Sequence, residues 1–386
     1  MSSIHVTHEK RTSDSPPYLI TVNLKFNEYD TPALLLDMDL AESNIRRMGD
    51  FFHGKKILHR PHVKVHKSPY LAHKQIAAGA NGITCAKVAE AEVMANSGID
   101  NILIANQVIG AQKLTRLANL SKHCHIGVLV DNLTNAREMS KIASDAESTI
   151  DVLVEVNLSS SLDGILDRCG VTSGADAVKL AHEISQLKNL NFNGLMGYEG
   201  ALRKFTDLES RRNAVEKALG FLVGIKDQVE DSGLAVNVVS SGGTTSYNLA
   251  SQVPGITEIQ AGGYVFMDIG YRKAGIDFDF ALTLLTSVVS RPKPEKAIVD
   301  VGFKAISAEH GMPLIKDMAD LECIGLNAEH GHLRLRQASD FPSCGDKLEM
   351  LPTHVDTTVC LHDNYVLIRK GEVEGTAAIE ARGKLQ

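Results

Sequence analysis

The stretch His59-Arg60-Pro61-His62-Val63-Lys64-Val65-His66-Lys67 follows a short apolar run, Lys56-Ile57-Leu58, and precedes Ser68-Pro69-Tyr70-Leu71-Ala72-His73-Lys74-Gln75-Ile76-Ala77-Ala78-Gly79. The apolar run reads as a buried strand. The segment after the basic residues has Ser at the N-cap, Pro at the first helical position and Gly at the end, which predicts a helix. The histidines and Lys64 therefore occupy a strand-to-helix junction, where α/β sheets present ligand-binding side chains.

Working outward, the same unit repeats. Short β-branched runs at 57–59, 82–85, 101–105, 125–130, 151–156, 192–196, 236–240 and 258–260 alternate with segments of helical period. One such segment is 88–96, closed by Gly98; another is 208–229, with Thr206 or Asp207 near its cap. Eight strands in βα alternation predict a (β/α)8 TIM-type barrel, although a doubly wound open sheet carries the same pattern. Beyond Phe266 the pattern changes to strands joined by short turns, at 280–290, 297–301, 321–325, 333–336, 347–350, 364–370 and 372–375. A C-terminal all-β domain is expected there. The early run Ala33-Leu34-Leu35-Leu36 has no helix before it and is expected to pair with those late strands. The expected organisation is thus a tail over 1–29, a first strand over 30–40, a barrel over 41–267 and a β-rich domain over 268–386.

Composition narrows the function. With 386 residues, 44% of them hydrophobic, the chain can bury a large core. A formal charge of -7 argues against nucleic acid or an anionic membrane as the main partner and leaves a small molecule. Six scattered cysteines without a CxxC pair point to a reducing compartment. The polar segment from Met1 to Tyr29 has no apolar core of signal-peptide length, and no window approaches a membrane span. A cytoplasmic enzyme is expected.

Three groups of residues could carry chemistry. Lys64, at the end of the first barrel strand beside Arg60, could have its pKa lowered by desolvation and by its cationic neighbour, leaving a neutral amine able to form a Schiff base. The plain alternative is a solvated lysine, and His59, His62 and His66 could equally be core or cap residues. Val238-Val239-Ser240-Ser241-Gly242-Gly243-Thr244-Thr245-Ser246-Tyr247 places small residues after the seventh strand, where backbone N–H groups can surround a phosphate. Ala261-Gly262-Gly263-Tyr264, after the eighth, could complete that cradle, and a purely structural turn is the other reading. In Thr353-His354-Val355-Asp356-Thr357-Thr358-Val359, a strand would turn His354 and Asp356 to one side, where both could meet one divalent ion. A lone His-x-Asp also arises by chance.

Taken together, these motifs resemble the fold-type III pyridoxal-phosphate enzymes, and within them the D-threonine aldolase and D-serine dehydratase family with its alanine racemase-like barrel. The resemblance spans most of the chain. It rests on Thr31-Pro32-Ala33-Leu34-Leu35-Leu36-Asp37-Met38-Asp39, Arg60 to Lys67, Cys85-Ala86-Lys87-Val88-Ala89-Glu90-Ala91-Glu92, Ser240-Ser241-Gly242-Gly243-Thr244, Glu329-His330-Gly331 and His354-Val355-Asp356-Thr357-Thr358-Val359, in that order. It implies that Lys64 carries pyridoxal phosphate. It also implies cofactor contacts from His62, Arg168, Tyr198, Ser241, Gly242, Gly243, Thr244, Gly263 and Tyr264, metal binding by His354 and Asp356 of the β domain, and a homodimer. Two departures fall where substrate choice would be set. The loop Asn157 to Asp167 is longer than the family's, and Glu199-Gly200-Ala201-Leu202-Arg203 lacks the Gln-His pair associated with the aldolases.

The function so implied is a pyridoxal-phosphate and divalent-metal lyase acting on a β-hydroxy-D-amino acid. Asp356 stands where the family's dehydratases carry cysteine. Its carboxylate suits manganese or magnesium, with zinc a further candidate, and favours retro-aldol cleavage to glycine and an aldehyde. The alternatives are β-elimination by a D-serine or 3-hydroxy-D-aspartate dehydratase, a 3-hydroxy-D-aspartate aldolase in which Arg203 or Lys304 meets the second carboxylate, and an amino-acid racemase. A cofactor carrier without turnover is the non-enzymatic alternative, and the residues after Met267 argue against it.

Overall fold

The structure, a computed structural model, describes residues 25–161, 168–200, 205 and 207–386. Most of the expected 1–29 tail, residues 162–167 of the long loop, Arg203 and Thr206 lie outside the described residues. The described chain begins its regular structure with β1 (Ala33–Asp37) and α1 (Met38–Phe52). Eight strands follow: β2 (Leu58–His59), β3 (Ile83–Cys85), β4 (Asn101–Gln107), β5 (His125–Val130), β6 (Ile150–Glu155), β7 (Leu190–Met196), β8 (Val238–Ser241) and β9 (Glu258–Ile259). Between them run α2 (Pro69–Ala77), α3 (Val88–Asn96), α4 (Ala111–Leu120), α5 (Leu133–Asp145), α6 (Gly174–Ser185), α7 (Leu208–Asp231) and α8 (Tyr247–Ala250).

These eight strands form one parallel sheet in the order β2-β9-β8-β7-β6-β5-β4-β3, and a parallel bridge from His62 to Thr84 joins its two ends. The sheet is a closed barrel, which excludes the doubly wound alternative. Leu103, Leu129, Leu153 and Met196, from four successive strands, pack together as one layer of side chains. The helices start where local chemistry dictates: the side chains of Asn132, Ser173 and Asp207 accept backbone N–H groups at the starts of α5, α6 and α7. Gly98, with φ +87, ends α3 in the left-handed conformation that glycine adopts without steric cost.

After β9 and α9 (Ile269–Lys273) come β10 (Leu282–Lys293), β11 (Lys296–Val299), β12 (Leu314–Ile315), β13 (Leu321–Leu326), β14 (Gly331–Leu335), β15 (Lys347–Leu351), α10 (Val355–Val359), β16 (Asn364–Arg369) and β17 (Glu372–Ala378). The second sheet runs β11-β14-β13-β12-β15-β10-β1-β16-β17, and a further β10–β11 pairing closes six of its strands on themselves. All its pairs are antiparallel except β1 with β16. β1 lies with Ala33 opposite Leu285 and Leu35 opposite Val366, and Ala33, Leu35, Leu285, Val366, Ile368 and Val373 form a buried cluster.

Two differences from the sequence reading have local causes. The two-residue β12 is too short for periodicity to register. His354 and Asp356 are not on a strand: His354 is the N-cap of α10 and Asp356 lies in that helix's first turn. Thr358 Oγ donates to the His354 carbonyl at 2.9 Å, a bond four residues back that the helical turn brings within reach and an extended strand would not.

The described residues divide into two compact units. One comprises the residues up to Asn44 with Val265–Gly270 and Phe278–Arg382; the other comprises Ile45–Tyr264, Tyr271–Asp277 and Gly383–Gln386. No helix among the described residues is long and apolar enough to cross a membrane, and all six cysteines are free thiols.

Candidate active site

Strand β2 delivers the chain to a single 3-10 turn, Val63–Val65. Val63 and Val65 are buried and anchor the turn, so Lys64 between them is held outward and exposed. His62 caps the turn by accepting the Lys64 N–H on Nδ1. Burial, with the cations Lys64 and Lys67 nearby, holds the His62 imidazole well below its usual 6.5. The other two histidines are core groups. His66 Nδ1 accepts from the Ser68 N–H at 3.1 Å, so its Nε2 carries the proton donated to Gln75 Oε1, also at 3.1 Å. His59 donates from Nε2 to the Ala261 carbonyl at 2.9 Å, stacks on Phe52, and is pushed down to about 4 by burial. Arg60 has its charge matched elsewhere: its guanidinium meets Glu258 at 2.6 Å and Asn101 at 2.7 Å.

The loop after β9 closes on this turn, and the loop after β8 lies against Tyr198. Gly262 lies so near the His62 backbone that a side-chain carbon would overlap the His62 carbonyl, and Gly243 faces the ring of Tyr198. Gly242, with φ +77, makes the bend after Ser241. Among the expected phosphate donors, the Ser241 hydroxyl is turned inward, 2.6 Å from the Gly197 carbonyl and 2.9 Å from Glu199 Oε2. Glu199, only 3% exposed, also accepts from the Gly242 N–H at 3.3 Å and from the Ser246 hydroxyl. The Thr244 hydroxyl, 4% exposed, has no hydrogen-bond partner among the described residues. A buried hydroxyl without a partner costs about 1–3 kcal/mol, so it is a group waiting for a ligand. An unused hydroxyl in the glycine-rich loop after β8 and an exposed lysine after β2, both at C-terminal strand ends of one barrel, fit pyridoxal phosphate. Tyr264, after Gly263, directs its phenol into the core, where it accepts from Gln75 Nε2 at 3.0 Å; only its backbone is left to face a ligand in this loop.

The neighbouring strand ends add charge. The Arg168 guanidinium lies 5.2 Å from the centre of the Tyr198 ring, a cation–π contact. Glu155, at the end of β6, shares the Gln107 amide with Asp131 and is raised to about 7, burial being the main cause and the Asp131 charge adding to it. Sequence reasoning missed Glu155, Gln107, Asp131 and Glu199 as members of this mouth. The available signal was their position at or just past the C-terminal ends of barrel strands.

In the other unit, the loop between β11 and β12 brings Glu309 and His310 to His354. His354 Nδ1 is 2.9 Å from Glu309 Oε2, and the His310 and His354 rings are 4.7 Å apart. One donor atom from each of the three lies within 4.8 Å of the others. The pairing of His354 with Asp356 through a shared strand face is absent, because both lie at the start of α10; Asp356 Oδ1 is shielded from solvent there. Two imidazoles and a carboxylate are suitable ligands for a divalent transition ion. Lys304 is paired with Glu329 at 2.6 Å.

Known proteins share this architecture. Residues 36–269 match the family model of the alanine racemase N-terminal domain, and residues 281–368 match that of a serine dehydratase domain. The chain is 37% identical to a D-threonine aldolase of an Arthrobacter species, over 92% of this chain and 93% of that one. It is 36% identical to a 3-hydroxy-D-aspartate aldolase of Paracoccus denitrificans, over 93% of each. Among solved structures it superposes on the D-threonine aldolase of Filomicrobium marinum with a TM-score of 0.90 and 35% identity, covering 96% of this chain and 100% of that one. The parallel barrel with its lysine turn, the β unit and these relatives together make the chain a member of the fold-type III D-threonine aldolase and D-serine dehydratase family, with the alanine racemase type of N-terminal domain.

Proposed function

We propose that the protein is a pyridoxal-phosphate and divalent-metal lyase that cleaves β-hydroxy-D-amino acids of the D-threonine type into glycine and an aldehyde. The observation that carries this reading is the exposed Lys64 turn packed against Gly262 in the loop after β9, together with the buried, partnerless Thr244 hydroxyl in the glycine loop after the neighbouring strand β8. When bound, pyridoxal phosphate supplies an electron sink for charge left at Cα, and a divalent ion supplies Lewis acidity toward the β-hydroxyl.

Lys64 holds the cofactor through Nζ. With the cofactor bound, Lys64 Nζ would act as the acid that delivers a proton to Cα to complete glycine, while the β-hydroxyl proton lost as the aldehyde carbonyl forms would leave to solvent water. Thr244, with the backbone N–H groups of Gly263 and Tyr264, would hold the phosphate, while the N–H groups of Gly242 and Gly243, taken by Glu199 and the Ser246 hydroxyl, and the Ser241 hydroxyl, bonded to Glu199, would keep the loop in shape. Arg168 and Tyr198 orient the ring by stacking on each other, and His62, kept neutral, adds no positive charge beside Lys64. His354 and Asp356 hold the ion, with manganese or magnesium ahead of zinc. We also propose a cytoplasmic homodimer. Free thiols at all six cysteines support the compartment, and the exposed apolar side chains of Phe303 and Phe341 support a partner surface.

A second reading, β-elimination, has the serine dehydratase model over 281–368 in its favour, and the same residues serve it. One experiment separates the two. Purified protein is incubated with D-threonine and manganese, and glycine plus acetaldehyde is measured against 2-oxobutyrate, with the visible absorption of lysine-bound cofactor followed in the native protein and in Lys64→Ala. Glycine and acetaldehyde, with absorption lost in the variant, support the aldolase. Formation of 2-oxobutyrate replaces it with the dehydratase, and absence of the band overturns the cofactor assignment.

A further inference from the structure

We infer that Glu309 and His310 are ligands of this protein's divalent-metal centre, so that the ion is held by His354 together with a second imidazole and a second carboxylate. The inference rests on the proposed role of His354 as a metal ligand. A site made from His354 and Asp356 alone has one nitrogen and one carboxylate, and an ion so held would exchange readily with solvent. The loop between β11 and β12 changes that donor set, because it carries Glu309 and His310 side by side and lays them against His354.

The distances match a coordination sphere. Metal–nitrogen and metal–oxygen bonds to such ions are about 2.0–2.2 Å, and two donors at right angles on one ion then stand roughly 3 Å apart. His354 Nδ1 and Glu309 Oε2 are 2.9 Å apart. Neighbouring donors on a metal have this spacing, and without the ion it serves equally as a hydrogen bond. The His310 ring, 4.7 Å from the His354 ring and tilted by 36°, puts a second imidazole nitrogen within 4.8 Å of both other donors. Glu309 is 51% exposed and His354 16%, so the cluster is open to solvent on one side, as a site that exchanges waters for substrate oxygen requires.

The ligand set has a consequence for ion choice. A second imidazole raises the preference for zinc and cobalt relative to a site of His354 and Asp356 alone, since magnesium and manganese prefer oxygen ligands. The full-length protein is stripped with chelator, dialysed, and titrated with manganese chloride and zinc chloride by calorimetry, and the metal retained after a second dialysis is measured by mass spectrometry. Native protein, Glu309→Gln, His310→Ala and His354→Ala are compared. Because Glu309 and His310 lie on an exposed loop, both variants should fold, and His310→Gln serves as a second, more conservative change. The expected result is that Glu309→Gln and His310→Ala each weaken binding of both ions about 10–100-fold, a loss comparable to that of removing a supporting residue of a metal site, while His354→Ala weakens it at least as much. Native affinity in Glu309→Gln and in both His310 variants, with loss only in His354→Ala, overturns this inference and leaves the proposed function standing. Unchanged binding in His354→Ala overturns the underlying reading as well.

Discussion

The ammonium of Lys67 is buried against the carboxylate of Glu90, and this pair ties the turn that carries Lys64 to the junction of β3 and α3. Lys67 is 5% exposed and Glu90 is fully buried, and Lys67 sits in the left-handed region at φ +52. The second oxygen of Glu90 accepts the Ala86 N–H at 2.7 Å. Neither group can be removed alone without leaving the other charge unmatched in the core. Glu90→Gln should lower the unfolding free energy by about 3–5 kcal/mol in urea titrations. The double variant Lys67→Met, Glu90→Gln should recover part of that loss, and a mild single variant would show that solvent reaches Lys67.

Thr244→Val tests the buried hydroxyl. In cofactor-free protein the substitution removes a polar group that has no partner, so the melting temperature should stay level or rise. In the loaded protein it removes a donor to phosphate, and pyridoxal-phosphate affinity should fall roughly tenfold, about 1.4 kcal/mol, by equilibrium dialysis. Equal affinity in the two proteins would remove Thr244 from the phosphate site.

Gly262→Ala tests the close approach of the two loops. The added carbon would meet the His62 carbonyl, a backbone atom that cannot rotate aside, so the Lys64 turn must shift. A destabilisation of about 1–3 kcal/mol is expected, and with it a loss of cofactor absorption larger than that caused by Gly220→Ala, where nothing lies in the way. Equal effects of the two substitutions would refute the packing argument.

Glu155 and His59 should pull stability in opposite directions with pH. The Glu155 carboxyl is raised from 4.5 to about 7, so its contribution is complete below 4.5 and is lost as pH rises through 7. His59 is lowered from 6.5 to about 4, so its contribution is complete above 6.5 and is lost as pH falls through 4. Each amounts to roughly 3 kcal/mol at 1.36 kcal/mol per pH unit, and between pH 4.5 and 6.5 the two largely offset. Glu155→Gln should therefore make the unfolding free energy rise with pH across that window. A slope unchanged from the native protein would mean that Glu155 titrates as an ordinary surface carboxylate.

Much of the fold could be read locally. The helix from Val88 to Asn96 ends where Gly98 says it should, and Asp207 starts α7 because a side chain one residue outside a helix can satisfy an orphan backbone N–H. The eight barrel strands fall within about two residues of their expected positions, since buried parallel strands are written as unbroken β-branched runs. The position of Lys64 was legible for a similar reason: a basic residue between a strand and a helix that opens with proline has a predictable place in a barrel. Side-chain partners were not. The sequence does not say that Arg60 faces Glu258, that Glu199 takes the hydroxyls of Ser241 and Ser246, or that Glu309 and His310 reach His354 across a separation of some 45 residues. Periodicity and capping are properties of neighbours along the chain, whose geometry is set by φ and ψ alone. Which charge meets which, and whether His354 lies on a strand or at a helix start, depends on how distant segments are brought together, and only the tertiary structure decides that.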